Sequence, residues 1–201
     1  YCRQPDGSLV PTRHAWDFVH VLVFVGEDVP RAQVDEMMDF FERELMTPTW
    51  MAALSPLDDD VDFSLRPDHQ WNGSYPAWVA LAARALGRFG REGLLARWLP
   101  GLAPSTNQGP YSQAHFVESF APCEAGGARK APTEWPFITD WAIVCVGGFF
   151  ELLLFEICGA RIGIDGVDST RVRASIAPDT RLENVPLRGC LVQFPSSDRL
   201  G

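Results

Sequence analysis

The sequence predicts a mainly α fold, an α/α toroid in partial form followed by a small antiparallel β segment. Three observations predict it. Apolar stretches at 14–25, 76–89 and 137–158 alternate with shorter amphipathic ones at 31–46 and 91–99. The connections entering the apolar stretches are long and rich in His, Trp and acids, whereas those leaving them are short. After Gly159 the pattern changes to short, partly alternating apolar runs separated by Gly and Pro. Paired helices whose long connections all emerge at one end form a ring of inner and outer helices with a funnel of loops at that end. Residues 1–159 are thus expected to be helical and 160–201 to form a strand tail.

Taken in order, residues 1–13 are polar, with Asp6-Gly7 as a turn signal. The stretch 14–25 is apolar nearly all round and reads as a buried inner helix, with a buried strand as the alternative. Asp28 and Pro30 read as the cap and first turn of the next helix. Its apolar positions Val34, Met37, Met38, Phe41 and Leu45 fall on one stripe, with Arg31, Asp35, Glu36, Asp39, Glu42 and Arg43 opposite. A long connection then holds Asp58-Asp59-Asp60, read as a solvated acidic run. Pro76 opens an Ala-rich helix that Gly90 ends, and a short amphipathic partner runs to Pro100. After a second long irregular region, the last helix reaches Cys158 and stops at Gly159. Strands are expected at 161–164, 172–176 and 187–194.

Composition narrows the function. A chain of 201 residues that is 46% hydrophobic and 21% charged can bury a real core in one or two domains. Its net charge of −9, with no basic stripe, excludes nucleic acid and disfavours an anionic membrane surface. The apolar run 141–158 is interrupted by Gly147, Gly148, Glu151 and Glu156, which suits a buried helix better than a membrane span. The five cysteines are scattered without CxxC spacing or a His partner, so no zinc site is expected. They read as the reduced thiols of an intracellular protein, so the expected location is cytoplasmic, with a signal peptide lost upstream of Tyr1 as the alternative.

The chemistry-bearing residues fall in four clusters. The densest is Asp68-His69-Gln70-Trp71-Asn72-Gly73-Ser74-Tyr75-Pro76-Ala77-Trp78, with a carboxylate, an imidazole, an amide and three aromatic rings. Aromatic rings beside acids suit sugars: the rings cover the apolar face of a pyranose while the polar groups bind hydroxyls or move protons. The plainer reading is a loop that plugs the core, with Ser74 capping the helix Pro76 starts and Trp78 inside the core. A second cluster, Arg13-His14-Ala15-Trp16-Asp17, opens the first inner helix; Asp17 is either a funnel carboxylate or a first-turn acid favoured by the helix dipole. The third holds Tyr111, His115 and Glu118 in a long loop, and the fourth Glu134-Trp135-Pro136 before the last helix. No phosphate-cradling loop, GxSxG elbow or Cys–His pair is present.

The order DHQWNGSYPAW, GPYSQAHFVES, EWPF…DWA and GGFFELLLFEICG, followed by short strands, resembles the C-terminal half of the six-hairpin (α/α)6-barrel glycoside hydrolase superfamily across residues 10–194. The resemblance implies hydrolysis of a glycosidic bond by two carboxylates, one as general acid and one as base or nucleophile. On this chain Glu118 matches the late-loop base and Asp68 the middle-loop carboxylate that binds sugar or acts as acid. His14, Trp16, Asp17, His69, Trp71, Asn72, Tyr111, His115 and Trp135 would then hold the substrate. No metal or organic cofactor is implied. The expected partners are a carbohydrate and, because only five helices are read here, the other half of the barrel. Two rivals stand beside this reading: a polysaccharide lyase using Tyr111, His115 and Asn72, and a non-catalytic sugar-binding or structural helical module.

Overall fold

A computed structural model describes residues 2–48, 50–59, 61, 73, 76–101, 120–122, 128–130, 143–164, 166–168, 182–187 and 189–194. Among these the chain is mainly helical. Helix α1 (Ala15–His20) runs on into a π-helical turn, Val21–Val25; α2 (Arg31–Phe40) does the same at Phe41–Leu45. Helix α3 spans Pro76–Arg88 and is followed by a 3-10 segment, Glu92–Trp98. Helix α4 (Ile143–Glu151) again ends in a π-helical segment, Leu152–Ile157.

Helix α3 lies against both α1 and α4. Its small residues permit this: Ala80, Ala82, Ala83 and Ala85 are fully buried beside Leu86. A side chain no larger than a methyl group lets two helix backbones approach closely, and alanine costs the helix nothing in propensity. The amphipathic stripe of α2 closes the core from outside. Val34, Met38, Phe41 and Leu45 are buried, and Phe41 stacks on Phe18 of α1 with ring centroids 4.4 Å apart. Trp98 packs on Phe41 and Trp50 and donates its indole N–H to the Trp50 carbonyl at 3.1 Å.

Both glycine stops behave as expected. Gly90 (φ +82) and Gly159 (φ +72) adopt the left-handed conformation that lets a helix terminate. Past Gly90, the Arg91 N–H turns back to the Leu86 carbonyl at 2.8 Å, satisfying a carbonyl of the last turn.

Three expectations are corrected. Asp28 does not cap α2: its N–H bonds back to the Val25 carbonyl at 2.9 Å, the side chain is exposed, and Pro30 occupies the cap position with no side-chain hydrogen bond. The acidic run is not uniformly solvated, because Asp58 is buried against backbone, as described below. The first helix is not buried all round either. Phe18, Val19, Leu22 and Val23 enter the core, whereas Trp16, Phe24 and Val25 are 51%, 65% and 48% exposed.

The strands pair only as antiparallel two-stranded ladders among the described residues. Cys2–Arg3 (β1) pairs with Leu9–Val10 (β2) around the Asp6-Gly7 turn, so the polar start is a small hairpin. Phe120–Pro122 (β3) pairs with Ala128–Lys130 (β4). The tail carries two hairpins, Arg161–Gly163 (β5) with Gly166–Asp168 (β6), and Leu182–Leu187 (β7) with Cys190–Phe194 (β8). Asn184, at φ +57, sits where the β7–β8 register shifts, the irregularity that a bulge introduces. The expected strand at 172–176 lies outside the described residues. No helix among those described is long and apolar enough to cross a membrane.

Candidate functional site

The site is built where α1 and α3 begin. A short extended strip, residues 53–55, joins the two. The Ala53 carbonyl accepts the Ala15 N–H at 2.7 Å, and the Ala53 N–H donates to the Gly73 carbonyl at 2.7 Å. His14 and Leu54 form an isolated antiparallel bridge, and the Ser55 N–H donates to the Arg13 carbonyl at 2.8 Å. The backbone of the His14–Trp16 cluster and that of Gly73, inside the densest aromatic motif, are therefore held one hydrogen bond on either side of Ala53.

Trp78, in the first turn of α3, is the floor of this end and is only 4% exposed. Its core placement agrees with the plainer reading of that residue, yet two candidate ligand-binding rings stand on it. His14 meets it edge to face with centroids 4.9 Å apart, and Trp16 does so at 5.6 Å. Trp16 in turn stacks on His20 at 4.3 Å with planes 21° apart, and His20 tilts against Phe24 at 6.0 Å. Trp16, His20 and Phe24 are four residues apart in succession, so they line one face of the helix. Half of Trp16 remains accessible, which is what a stacking platform requires.

Beneath the strip, Glu44 anchors the start of α1. Its carboxylate takes the Arg13 guanidinium at 2.6 Å and the Ser55 hydroxyl at 2.9 Å on Oε2, and Arg43 at 3.1 Å on Oε1. Asp58 Oδ2 accepts the Arg13 N–H at 2.7 Å. Burial pushes the Glu44 carboxyl up, but Arg13, Ser55 and Arg43 together outweigh it and hold it below the ordinary range. The Arg13 guanidinium is thus part of the scaffold rather than an arm reaching for substrate. On the far side of Glu44 a cleft of about 450 Å³ is walled by Leu54, Thr47 and Val61 among others, within the size range of small-molecule pockets.

Other charged groups brace the helices. Arg84 of α3 pairs with Glu151 and with the buried Glu156. Arg88 donates to the Val23 carbonyl at 2.6 Å and pairs with Glu27 at 2.7 Å. Burial pushes the Cys158 thiol up to about 11, so it stays protonated and poorly nucleophilic at neutral pH. Among the described residues no three His, Cys, Asp or Glu side chains converge as a metal site.

Of the expected site residues, the structure brings His14 and Trp16 together on Trp78, and it places Asp17 in the first turn of α1 beside them. Asp68, His69, Trp71, Asn72, Tyr111, His115, Glu118 and Trp135 lie outside the described residues, as does the Asp17 side chain. Sequence reasoning missed His20, Glu44 and Asp58. His20 was legible as the i+4 neighbour of Trp16. Glu44 was legible as the i+3 neighbour of Phe41, which places a carboxylate on the apolar stripe. Nothing in the run Asp58-Asp59-Asp60 distinguishes the one that turns inward.

No protein-family model matches this chain, and no curated protein matches it.

Proposed function

We propose that this protein is a carbohydrate-active enzyme of the glycoside hydrolase type, built on helix pairs in part of an α/α toroid. The observation that carries the reading is the link from Ala15 through Ala53 to Gly73, at 2.7 Å on each side. It ties two separately read aromatic clusters to one end of the helices, under a half-exposed tryptophan flanked by histidines. An indole face covers the apolar side of a pyranose, and neighbouring polar groups select its hydroxyls.

In this reading Asp68 and Glu118 supply the chemistry. One protonates the glycosidic oxygen while the other activates water or attacks the anomeric carbon, and the spacing between them decides retention or inversion. Val61, on the wall of the cleft beyond Glu44, and Gly73, bonded to Ala53, are the described residues that flank the stretch carrying Asp68.

The test is turnover of a panel of p-nitrophenyl glycosides and reducing-sugar release from neutral oligosaccharides. Asp68→Asn and Glu118→Gln are expected to lower kcat by several orders of magnitude, and Trp16→Ala chiefly to raise KM. Wild-type protein that neither cleaves nor binds any member of the panel sinks the reading.

A further inference from the structure

Trp16 sets the hydrogen pattern of both histidines beside it through its own peptide groups. Its N–H donates to His14 Nδ1 at 2.9 Å. A peptide N–H can only donate, so Nδ1 of His14 is unprotonated and the neutral ring carries its hydrogen on Nε2. The Trp16 carbonyl meets His20 Nδ1 at 2.8 Å. A carbonyl can only accept, so here Nδ1 carries the hydrogen and the neutral ring leaves a bare lone pair on Nε2. One residue thus fixes two imidazoles in opposite tautomers, a donor at His14 Nε2 and an acceptor at His20 Nε2.

The His20 ring is also fixed in plane. Its stack on Trp16 at 4.3 Å and its Nδ1 bond together define the orientation, and Nε2 points away from the Trp16 carbonyl. Among the described residues His20 makes no other hydrogen bond, and it is only partly buried. An acceptor held rigidly by stacking over one face of Trp16 suits a ligand that brings its own hydrogen.

We propose that His20 is a further ligand-binding residue of this site, its Nε2 accepting a hydrogen bond from a hydroxyl of a neutral, polyhydroxylated ring packed against the exposed surface of the Trp16–His20 stack. The proposal builds on the carbohydrate reading and narrows its substrate class. A hydroxyl can meet either polarity, because it both donates and accepts. A carboxylate has no hydrogen to give the His20 lone pair, so a uronate ring that turns its carboxylate toward this position is disfavoured. The same preference separates a hydrolase of neutral sugars from a lyase acting on uronate polymers.

The first experiment reads the histidine tautomers of the intact wild-type chain by long-range ¹⁵N–¹H correlation. Nε2–H is expected for His14 and Nδ1–H for His20. Methyl glucoside, methyl galactoside and methyl mannoside are then titrated in parallel with glucuronate. At least one neutral glycoside is expected to move the His20 Nε2 resonance, with glucuronate inert at the same concentration. His20→Phe keeps a ring against Trp16 but removes the acceptor, and should weaken neutral-glycoside binding about fivefold to tenfold. The proposal is overturned by a Nε2–H tautomer at His20, by a glucuronate preference, or by unchanged affinity in His20→Phe; these results leave the carbohydrate reading standing. Absence of any glycoside binding or cleavage overturns both together.

Discussion

The Arg13 guanidinium and the Glu44 carboxylate meet at 2.6 Å across 31 residues of chain, and through them the π-helical segment that follows α2 holds the residues entering α1. Ser55 shares the same carboxylate oxygen at 2.9 Å, and Asp58 takes the Arg13 N–H, so both the side chain and the main chain of Arg13 are restrained. The Glu44 side chain is only 4% exposed, but those of Arg13 and Arg43 are 42% and 66% exposed, so on its removal water takes over much of what the guanidiniums lose and the buried Ser55 hydroxyl loses its acceptor. Glu44→Ala should destabilise the protein by about 1–3 kcal/mol. Urea unfolding checks this: the midpoint should fall with little change in slope.

The same carboxylate makes stability pH-dependent in a defined direction. Its folded pKa lies below the ordinary glutamate value of 4.5. Between the two values the unfolded chain binds the extra proton, so the contribution is complete above about pH 5 and is lost as acid titrates the folded carboxylate. Wild-type stability measured from pH 6 to pH 3 should therefore drop more steeply than that of Glu44→Gln. Parallel curves would show that Glu44 carries no such linkage.

Trp16 and Trp78 touch each other yet should respond in opposite ways. Trp78 is 4% exposed, and Trp78→Ala empties a packed position at a cost of about 3–5 kcal/mol. Trp16 is half exposed, and Trp16→Ala should cost about 1 kcal/mol or less while abolishing the site's main apolar surface. Thermal melts of the two variants, read beside glycoside binding, distinguish a structural tryptophan from a ligand-facing one.

Gly26 lies where α1 closes on the end of α3. A Cβ there would stand 2.5 Å from the Leu22 carbonyl oxygen and 2.7 Å from Cζ of Phe89. Gly26→Ala is expected to destabilise by about 1–3 kcal/mol through overpacking, although its φ of −61° is open to any residue. Phe89→Leu in the same chain should recover part of the loss if the ring is the obstacle.

Arg88 satisfies the Val23 carbonyl, and at 3.4 Å that of Leu22, at a helix end where carbonyls lack partners within the helix. Arg88→Ala should speed amide exchange at Asp28, whose N–H bonds to the neighbouring Val25 carbonyl. Exchange followed by mass spectrometry over residues 21–30 provides the readout, and Arg88→Lys should be intermediate.

Helix identity was legible because each pattern has one physical cause. The spacing of Val34, Met38, Phe41 and Leu45 puts all four on one face, and all four are buried. Gly90 and Gly159 end helices because only glycine takes positive φ without strain. The site was legible in its aromatic half, where Trp16 and His14 sit at the start of a helix and the fold sets them on Trp78. Its polar scaffold was not. A lone glutamate or aspartate is normally solvated; the spacing from Phe41 sets Glu44 on the apolar stripe, but only tertiary contacts show what holds it there and that Asp58 is buried. Asp28 misled for a related reason: a good capping residue is ignored when the chain folds back one turn too early to use it.

The π-helical turns at Val21–Val25, Phe41–Leu45 and Leu152–Ile157 carry a consequence for how such helices evolve and can be edited. A turn that closes over five residues instead of four holds one surplus residue, and because each of these turns is the last of its helix, the surplus sets the direction in which the chain leaves. Deleting a single residue from Val21–Val25 would therefore re-aim the chain that runs through Gly26 into α2 while leaving Ala15–His20 as it is. In these three helices, the last turn is where a one-residue insertion or deletion changes the exit and spares the helix before it.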